Sequence, residues 1–158
     1  MGKVNFCVDA GTTVVPEVTA RAMAYELHIS PKHAFEVCRA LKGKKVEEAE
    51  RYLEAVVAKK TVVPYKRHKQ RVAHRRGLTK WYAGRYPVKT SAEMLKLVRS
   101  AKKNAEYKGL DAEDMRIWHM ATKQGRTIRG IFPRAFGRAS PKNTDTVTIE
   151  LIIREEGS

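Results

Sequence analysis

The chain has 158 residues, the size of one domain, which excludes an enzyme with separate cofactor and substrate lobes. Its 32 Lys and Arg against 17 Asp and Glu leave a net charge of +15, which points to a polyanionic partner, while 42% hydrophobic residues exclude wholesale disorder. Two cysteines, Cys7 and Cys38, exclude a disulfide framework; without a signal-peptide pattern or an apolar run of roughly 18 residues, a reduced, intracellular protein with no membrane insertion is expected.

Residues 1–22 show neither period nor charge clustering and are expected to form an N-terminal arm ahead of a single domain, residues 23–158. Residues 24–29 alternate as a strand does. Ser30 and Pro31 then open a helix, the first with a hydroxyl able to cap free amides and the second at a position that needs no N–H. Phe35, Cys38 and Leu41 recur at helical spacing, and Gly43 supplies the stop. A second helix is expected over residues 46–58, where Val46, Ala49, Leu53, Val56 and Val57 share one face and acids occupy the first turn. Residues 59–89 form a basic insertion, and the third helix follows from a capping-box pattern at Thr90 and Glu93. Met94, Leu95, Val98, Ala101 and Ala105 trace its apolar stripe toward Gly109.

Ile117 and Trp118 belong to a β-rich run, with Trp118 expected in the core, and Val147, Ile149, Leu151 and Ile153 alternate strictly. Three helices followed by strands predict an α+β domain, three helices packed on a small antiparallel sheet. Residues 122–146 hold only Ile128, Ile131, Phe132 and Phe136 as large apolar residues, and Pro133 and Pro141 bar the stretch from the centre of a sheet. No core can be built from it. A long protruding β-hairpin over residues 117–153 is expected instead, with arms 117–134 and 138–153. Each arm of roughly 17 residues at ~3.3 Å per residue spans about 55 Å, against a radius of gyration of ~13 Å for a body of about 100 residues.

The charge is local. No carboxylate falls between Glu54 and Glu93, where eleven cations stand: Lys59, Lys60, Lys66, Arg67, Lys69, Arg71, Arg75, Arg76, Lys80, Arg85 and Lys89. None falls in residues 115–144 either, which carry Arg116, Lys123, Arg126, Arg129, Arg134, Arg138 and Lys142. The other 90 residues hold 14 cations and 17 acids, so the whole excess lies in two single-sign windows, where an ordinary solvated face would mix signs. Ten of the 18 window cations are Arg, whose fork grips phosphate and stacks on bases, which favours nucleic acid over lipid. Tyr65, Trp81, Tyr82 and Tyr86 are interleaved with the first window, as stacking on exposed bases requires.

Signals for catalysis are poor. His28 with His33, and His68 with His74, have no Cys or carboxylate at zinc-site spacing, and Gly43-Lys44-Lys45 lacks the rest of a phosphate loop. The basic windows offer no acid to hold a catalytic metal. No enzyme, cofactor or metal site is therefore expected. The rival readings are a ribonuclease using His68 and His74, and a membrane-surface binder, which needs a basic amphipathic helix.

The run Gly125-Arg126-Thr127 through Pro133-Arg134-Ala135-Phe136-Gly137-Arg138-Ala139-Ser140-Pro141-Lys142-Asn143 resembles the hairpin of the family of large-subunit ribosomal protein twenty-two, called seventeen in eukaryotes. Ser30-Pro31-Lys32-His33, Lys42-Gly43-Lys44-Lys45, Gly84-Arg85-Tyr86-Pro87-Val88-Lys89 and Asn104-Ala105-Glu106-Tyr107-Lys108-Gly109-Leu110 are similar to other blocks of that family, in family order. The resemblance implies a body docked near the exit of the nascent-peptide tunnel, a hairpin along the tunnel wall, and a role in early assembly. The basic stretch over residues 65–86 resembles the insertion of the archaeal and eukaryotic branch. The implied location is the cytoplasmic ribosome, with large-subunit rRNA, neighbouring ribosomal proteins and the nascent polypeptide as partners. Expected rRNA contacts are Lys66, Arg67, Lys69, Arg71, Arg75, Arg76, Lys80, Arg85 and Lys89, then Lys123, Arg126, Arg129 and Lys142. The implied tip is Arg134, Ala135, Phe136, Gly137 and Arg138, with Phe136 as a wedge between two arginine clamps, and Gly125, Gly130, Ala135 and Gly137 are expected to let the backbone pass close to packed RNA.

Overall fold

The computed structural model describes residues 5–8, 16–112 and 114–155. A single 3-10 turn, Pro16–Val18, leads into β1 (Thr19–Leu27), which is followed by α1 (Pro31–Leu41) and α2 (Val46–Val57). Two short strands, β2 (Val63–Pro64) and β3 (Gly84–Arg85), precede α3 (Val88–Tyr107). The chain closes with β4 (Met115–Ile128), β5 (Ile131–Pro133), β6 (Ala139–Pro141) and β7 (Thr144–Glu155). The three helices pack against an antiparallel sheet of strand order β1-β7-β4, an α+β fold as expected.

The hydrophobic effect sets that arrangement. Val147, Ile149, Leu151 and Ile153 of β7 are fully buried among Val37 and Leu41 of α1, Leu53 and Val56 of α2, and Met94 and Val98 of α3. Each such side chain removed from water contributes about 1.5–3 kcal/mol. The alternate residues of β7, Thr146, Thr148, Glu150 and Ile152, are buried as well, so this strand is covered on both faces. Residues 5–8 lie on the face away from the helices: the Cys7 amide donates to Glu150 at 3.0 Å and Phe6 sits 5.7 Å beneath the Arg21 guanidinium.

β1 begins at Thr19, five residues before the expected start, and draws residues 19–22 out of the arm and into the sheet. Its inward positions there are Ala20 and Ala22, opposite Ile153 and Leu151, and alanine carries little strand signal. The rest of the arm, residues 1–4 and 9–15, lies outside the described residues. Ser30 holds the N-cap position of α1 in extended backbone, but its hydroxyl makes no capping bond, and only its carbonyl accepts, from Ala34 at 2.9 Å. Gly43 stops the helix at a φ of +86°, where a side chain would be strained.

The capping box at Thr90 and Glu93 does not form. α3 starts two residues earlier, at Val88, and Thr90 and Ser91 are buried in its first turn. Pro87 supplies the cap position, its carbonyl accepting from Ser91 at 2.9 Å. Trp118 is half-buried, outside the core that takes Ile117 and Met120. The ladder pairs Ile117 with Ile153 and His119 with Ile152, so Trp118 is the extra residue of a β-bulge, which turns it out of the alternation.

Past the pairing of Leu27 with Val147, β4 and β7 run on as a two-stranded ribbon through Thr127 opposite Asp145 and Ile128 opposite Thr144. β5 and β6 continue it from Ile131 opposite Pro141 to Pro133 opposite Ala139.

Candidate nucleic-acid interface

The first basic segment is held by a carboxylate from another element. Glu36, on the buried side of α1 and 1% exposed, accepts backbone N–H groups from Lys66 at 3.1 Å, Arg67 at 2.8 Å and His68 at 2.7 Å. Three consecutive amides around one anion form a nest, which compensates a charge that burial alone would make costly. With the backbone turned inward, the side chains of Lys66, Arg67, Lys69 and Arg71 are left exposed. Periodicity reads Glu36 as an ordinary helix-surface acid; the only hint of its burial is its place between Ala34 and Val37, both fully buried.

Farther along, β2 and β3 pair, and the segment folds over itself through Arg75 donating to the Tyr82 carbonyl at 2.9 Å. The Trp81 indole N–H donates to the Tyr65 carbonyl at 2.9 Å, and its ring stacks on Tyr82 with centroids 5.2 Å apart. Cations cover aromatic faces here: Arg67 over Phe35, Lys69 over Trp81 and Arg75 over Tyr86, at 5.1, 5.8 and 5.6 Å. Such contacts contribute about 0.5–1 kcal/mol at exposed sites and set the direction of each side chain. Lys59, Arg71 and Lys80 all have positive φ, a costly backbone for residues with a side chain.

Of the four interleaved aromatics, Tyr65 departs from expectation. Its ring is 1% exposed, packed edge-on to His33, and burial pushes its phenol pKa up. Tyr82 remains exposed, while Trp81 and Tyr86 are half-buried. His68 packs edge-on against Phe35 and His74 edge-on against Tyr82.

In the ribbon, Gly125 and Gly130 answer to the partner strand. A Cβ on Gly125 would stand 2.4 Å from the Thr146 hydroxyl, and one on Gly130 would stand 2.8 Å from the Lys142 carbonyl oxygen. Their smallness is thus already required within the protein. Phe132 lies between two cations, with Arg134 at 5.4 Å and Lys142 at 5.3 Å from its ring. At the tip Arg138 donates to the Ala135 carbonyl, and Phe136 and Gly137 between them have φ of +57° and +67°. Those are the φ signs of a type I′ turn, which matches the twist of a ribbon but favours Asn, Asp or Gly where Phe136 stands. Phe136 is 97% exposed.

Lys123 is not on the open shaft. Its ammonium is 3.0 Å from Glu150 and donates to the Asn5 carbonyl, on the sheet face that residues 5–8 cross. Glu150 is fully buried and also lies 2.8 Å from His119. Burial alone would raise its carboxyl pKa, but hydrogen bonds from His119, Cys7 and Lys123 overcome that and hold it at about 2. Arg126, although exposed, pairs with Glu26 at 3.2 Å. The other ion pairs, Lys44 with Glu48, Lys45 with Asp114, Arg51 with Glu47, Lys96 with Glu93 and Arg99 with Glu54, use cations outside both windows. Among the described residues no carboxylate pairs with Lys66, Arg67, Lys69, Arg71, Arg75, Arg76, Lys80, Arg85, Lys89, Arg129, Arg134, Arg138 or Lys142.

Three helices on an antiparallel sheet, with unpaired cations on an insertion and a ribbon, define a small basic α+β protein whose charge is displayed. Residues 22–154 match the family described as Ribosomal protein L22p/L17e. Relatives named Large ribosomal subunit protein uL22 include one from Methanocella arvoryzae, 52% identical over 155 residues that cover 98% of this chain and 99% of the relative. Another from Archaeoglobus fulgidus is 56% identical over 133 residues, 84% of this chain and 86% of its own. A third, from Methanocaldococcus jannaschii, is 48% identical over 155 residues, covering 98% and 97%. The chain belongs to the L22p/L17e family of ribosomal proteins and is a structural, non-enzymatic component of the large subunit of the cytoplasmic ribosome.

Proposed function

We propose that the protein binds large-subunit rRNA through two cationic devices, supports subunit assembly by bridging the RNA they touch, and lines the nascent-peptide exit tunnel with its ribbon tip. The observation that carries this reading is the segregation of charge: among the described residues Lys44, Lys45, Arg51, Lys96 and Arg99 of the body pair with acids, whereas no carboxylate pairs with the cations of residues 66–89 and 129–142. A-form RNA hides its base edges in a deep groove, so recognition relies on phosphates, 2′-hydroxyls and shape. The insertion offers nine such cations, Lys66, Arg67, Lys69, Arg71, Arg75, Arg76, Lys80, Arg85 and Lys89. On the ribbon, Arg126, Arg129 and Lys142 address phosphates along the shaft, and Lys123 is left out because Glu150 holds it.

An isolated two-stranded ribbon is marginal in water, and surrounding RNA supplies the surface that this one lacks. At the tip, Arg134 and Arg138 clamp RNA while the bare ring of Phe136 faces the passing chain. Neighbouring ribosomal proteins and the nascent polypeptide complete the partners. A photo-crosslinker placed at Phe136 in ribosomes stalled on a radiolabelled nascent chain tests the tip. Crosslinks to the nascent chain are expected from position 136 and not from exposed Tyr107 on the body; the reverse pattern would contradict the assignment.

A further inference from the structure

Trp118 and the Lys42-Gly43 loop meet at the end of the sheet opposite the ribbon. Gly43 donates to the Ile117 carbonyl and Ile117 donates to that of Lys44, both at 2.9 Å, so the loop after α1 is pinned along the outer edge of β4. On the other side of β4, the ladder sets Arg154 opposite Arg116, with Glu155 beside it. Together they surround an open cavity of about 370 Å³, lined by Lys42, Gly43, Arg116, Trp118, Arg154 and Glu155 as well as Ile117.

A half-buried tryptophan commonly completes apolar packing, and two observations oppose that here. The bulge leaves Trp118 without a ladder partner, and a bulge re-aims a side chain away from the regular pleat. The rest of the lining is also wrong for packing an indole, because beyond Ile117 its side chains are three cations and one carboxylate.

We infer that this cavity holds one unstacked nucleotide of rRNA, its base on the Trp118 ring and its phosphate at Lys42 and Arg154. Base stacking on an aromatic face tolerates any base, and charged donors grip phosphate oxygens strongly. Glu155 accepts a hydrogen bond from an exocyclic amino group, as carboxylates do from cytosine. An acidic peptide would use the cations but leave the indole without a partner. The inference rests on the rRNA-binding reading above and adds to it a contact of the body outside both arginine-rich devices.

The test uses the full-length chain with a single-stranded RNA octamer and the same sequence as a duplex. In the Trp81→Phe protein, Trp118 emission is expected to be quenched saturably by the single strand and not by the duplex. Trp118→Ala is expected to weaken binding to protein-free large-subunit rRNA about tenfold. Lys42→Ala and Arg154→Ala, on side chains outside the apolar core, are each expected to make the slope of log affinity against log salt shallower by about 1. Equal quenching by duplex, quenching by an acidic peptide, or unchanged slopes in both cation variants would overturn the pocket. If the wild-type chain itself binds rRNA without steep salt dependence, the broader reading fails; steep wild-type binding with unchanged variants removes the pocket alone.

Discussion

Glu150 stands in the middle strand with both faces covered, and it stays ionised because His119, Lys123 and the Cys7 amide all reach it. Its carboxyl is held at about 2, below the ordinary 4.5, so its contribution to stability is complete above pH ~4.5 and fades as pH falls toward 2. The shift corresponds to about 3 kcal/mol. Glu150→Gln should therefore be about 3 kcal/mol less stable than wild type in urea unfolding at pH 7, with the gap closing toward zero near pH 2. A gap independent of pH would place the cost in packing and not in charge. Glu36 makes a second residue-scale case. Glu36→Gln raises the net charge, yet one amide of the nest then faces an NH₂ group where it had an acceptor. Hydrogen exchange at the amides of residues 66–68 should quicken by at least tenfold while the sheet stays protected, and rRNA binding should weaken despite the added charge; tighter binding would show that charge count alone governs the contact.

At the scale of elements, the ribbon and the body have different sources of stability. The body is held by the layer between helices and sheet, whereas Ile131 and Phe136 of the ribbon are 75% and 97% exposed. Replacing residues 129–143 with Asn-Gly, a turn suited to the register pair Ile128 and Thr144, should leave cooperative thermal unfolding with a midpoint within about 5 °C of wild type. Loss of cooperativity would mean that the ribbon carries core contacts. The same division explains what could be read from the chain. α1 and α2 follow from apolar spacing, and the ribbon follows from a stretch too poor in apolar residues to be interior. The start of β1 was hidden because alanines do the burying, and the bulge at Trp118 because one inserted residue leaves no mark on hydrophobic alternation. Glu36 was invisible for a further reason: its partners are backbone amides about 30 residues away, which any sequence supplies.

For the whole molecule, a net charge of +15 states only that the partner is polyanionic. Among the described residues, Lys44, Lys45, Arg51, Lys96 and Arg99 of the body are held in ion pairs, while the cations of residues 66–89 and 129–142, on two separate elements, are left without an acid. One of the expected contacts changes status in this division, Lys123 being held against buried Glu150, whereas Arg126 pairs with Glu26 at the surface and stays exposed. What remains is a protein that presents exposed cations from an insertion braced by Glu36 and from a ribbon with an aromatic tip.

The most direct test is the salt dependence of binding to protein-free large-subunit rRNA. If about ten of these cations engage phosphates, log affinity should fall with log salt at a slope of roughly −7 to −9. A slope shallower than about −3 would contradict the multi-phosphate account.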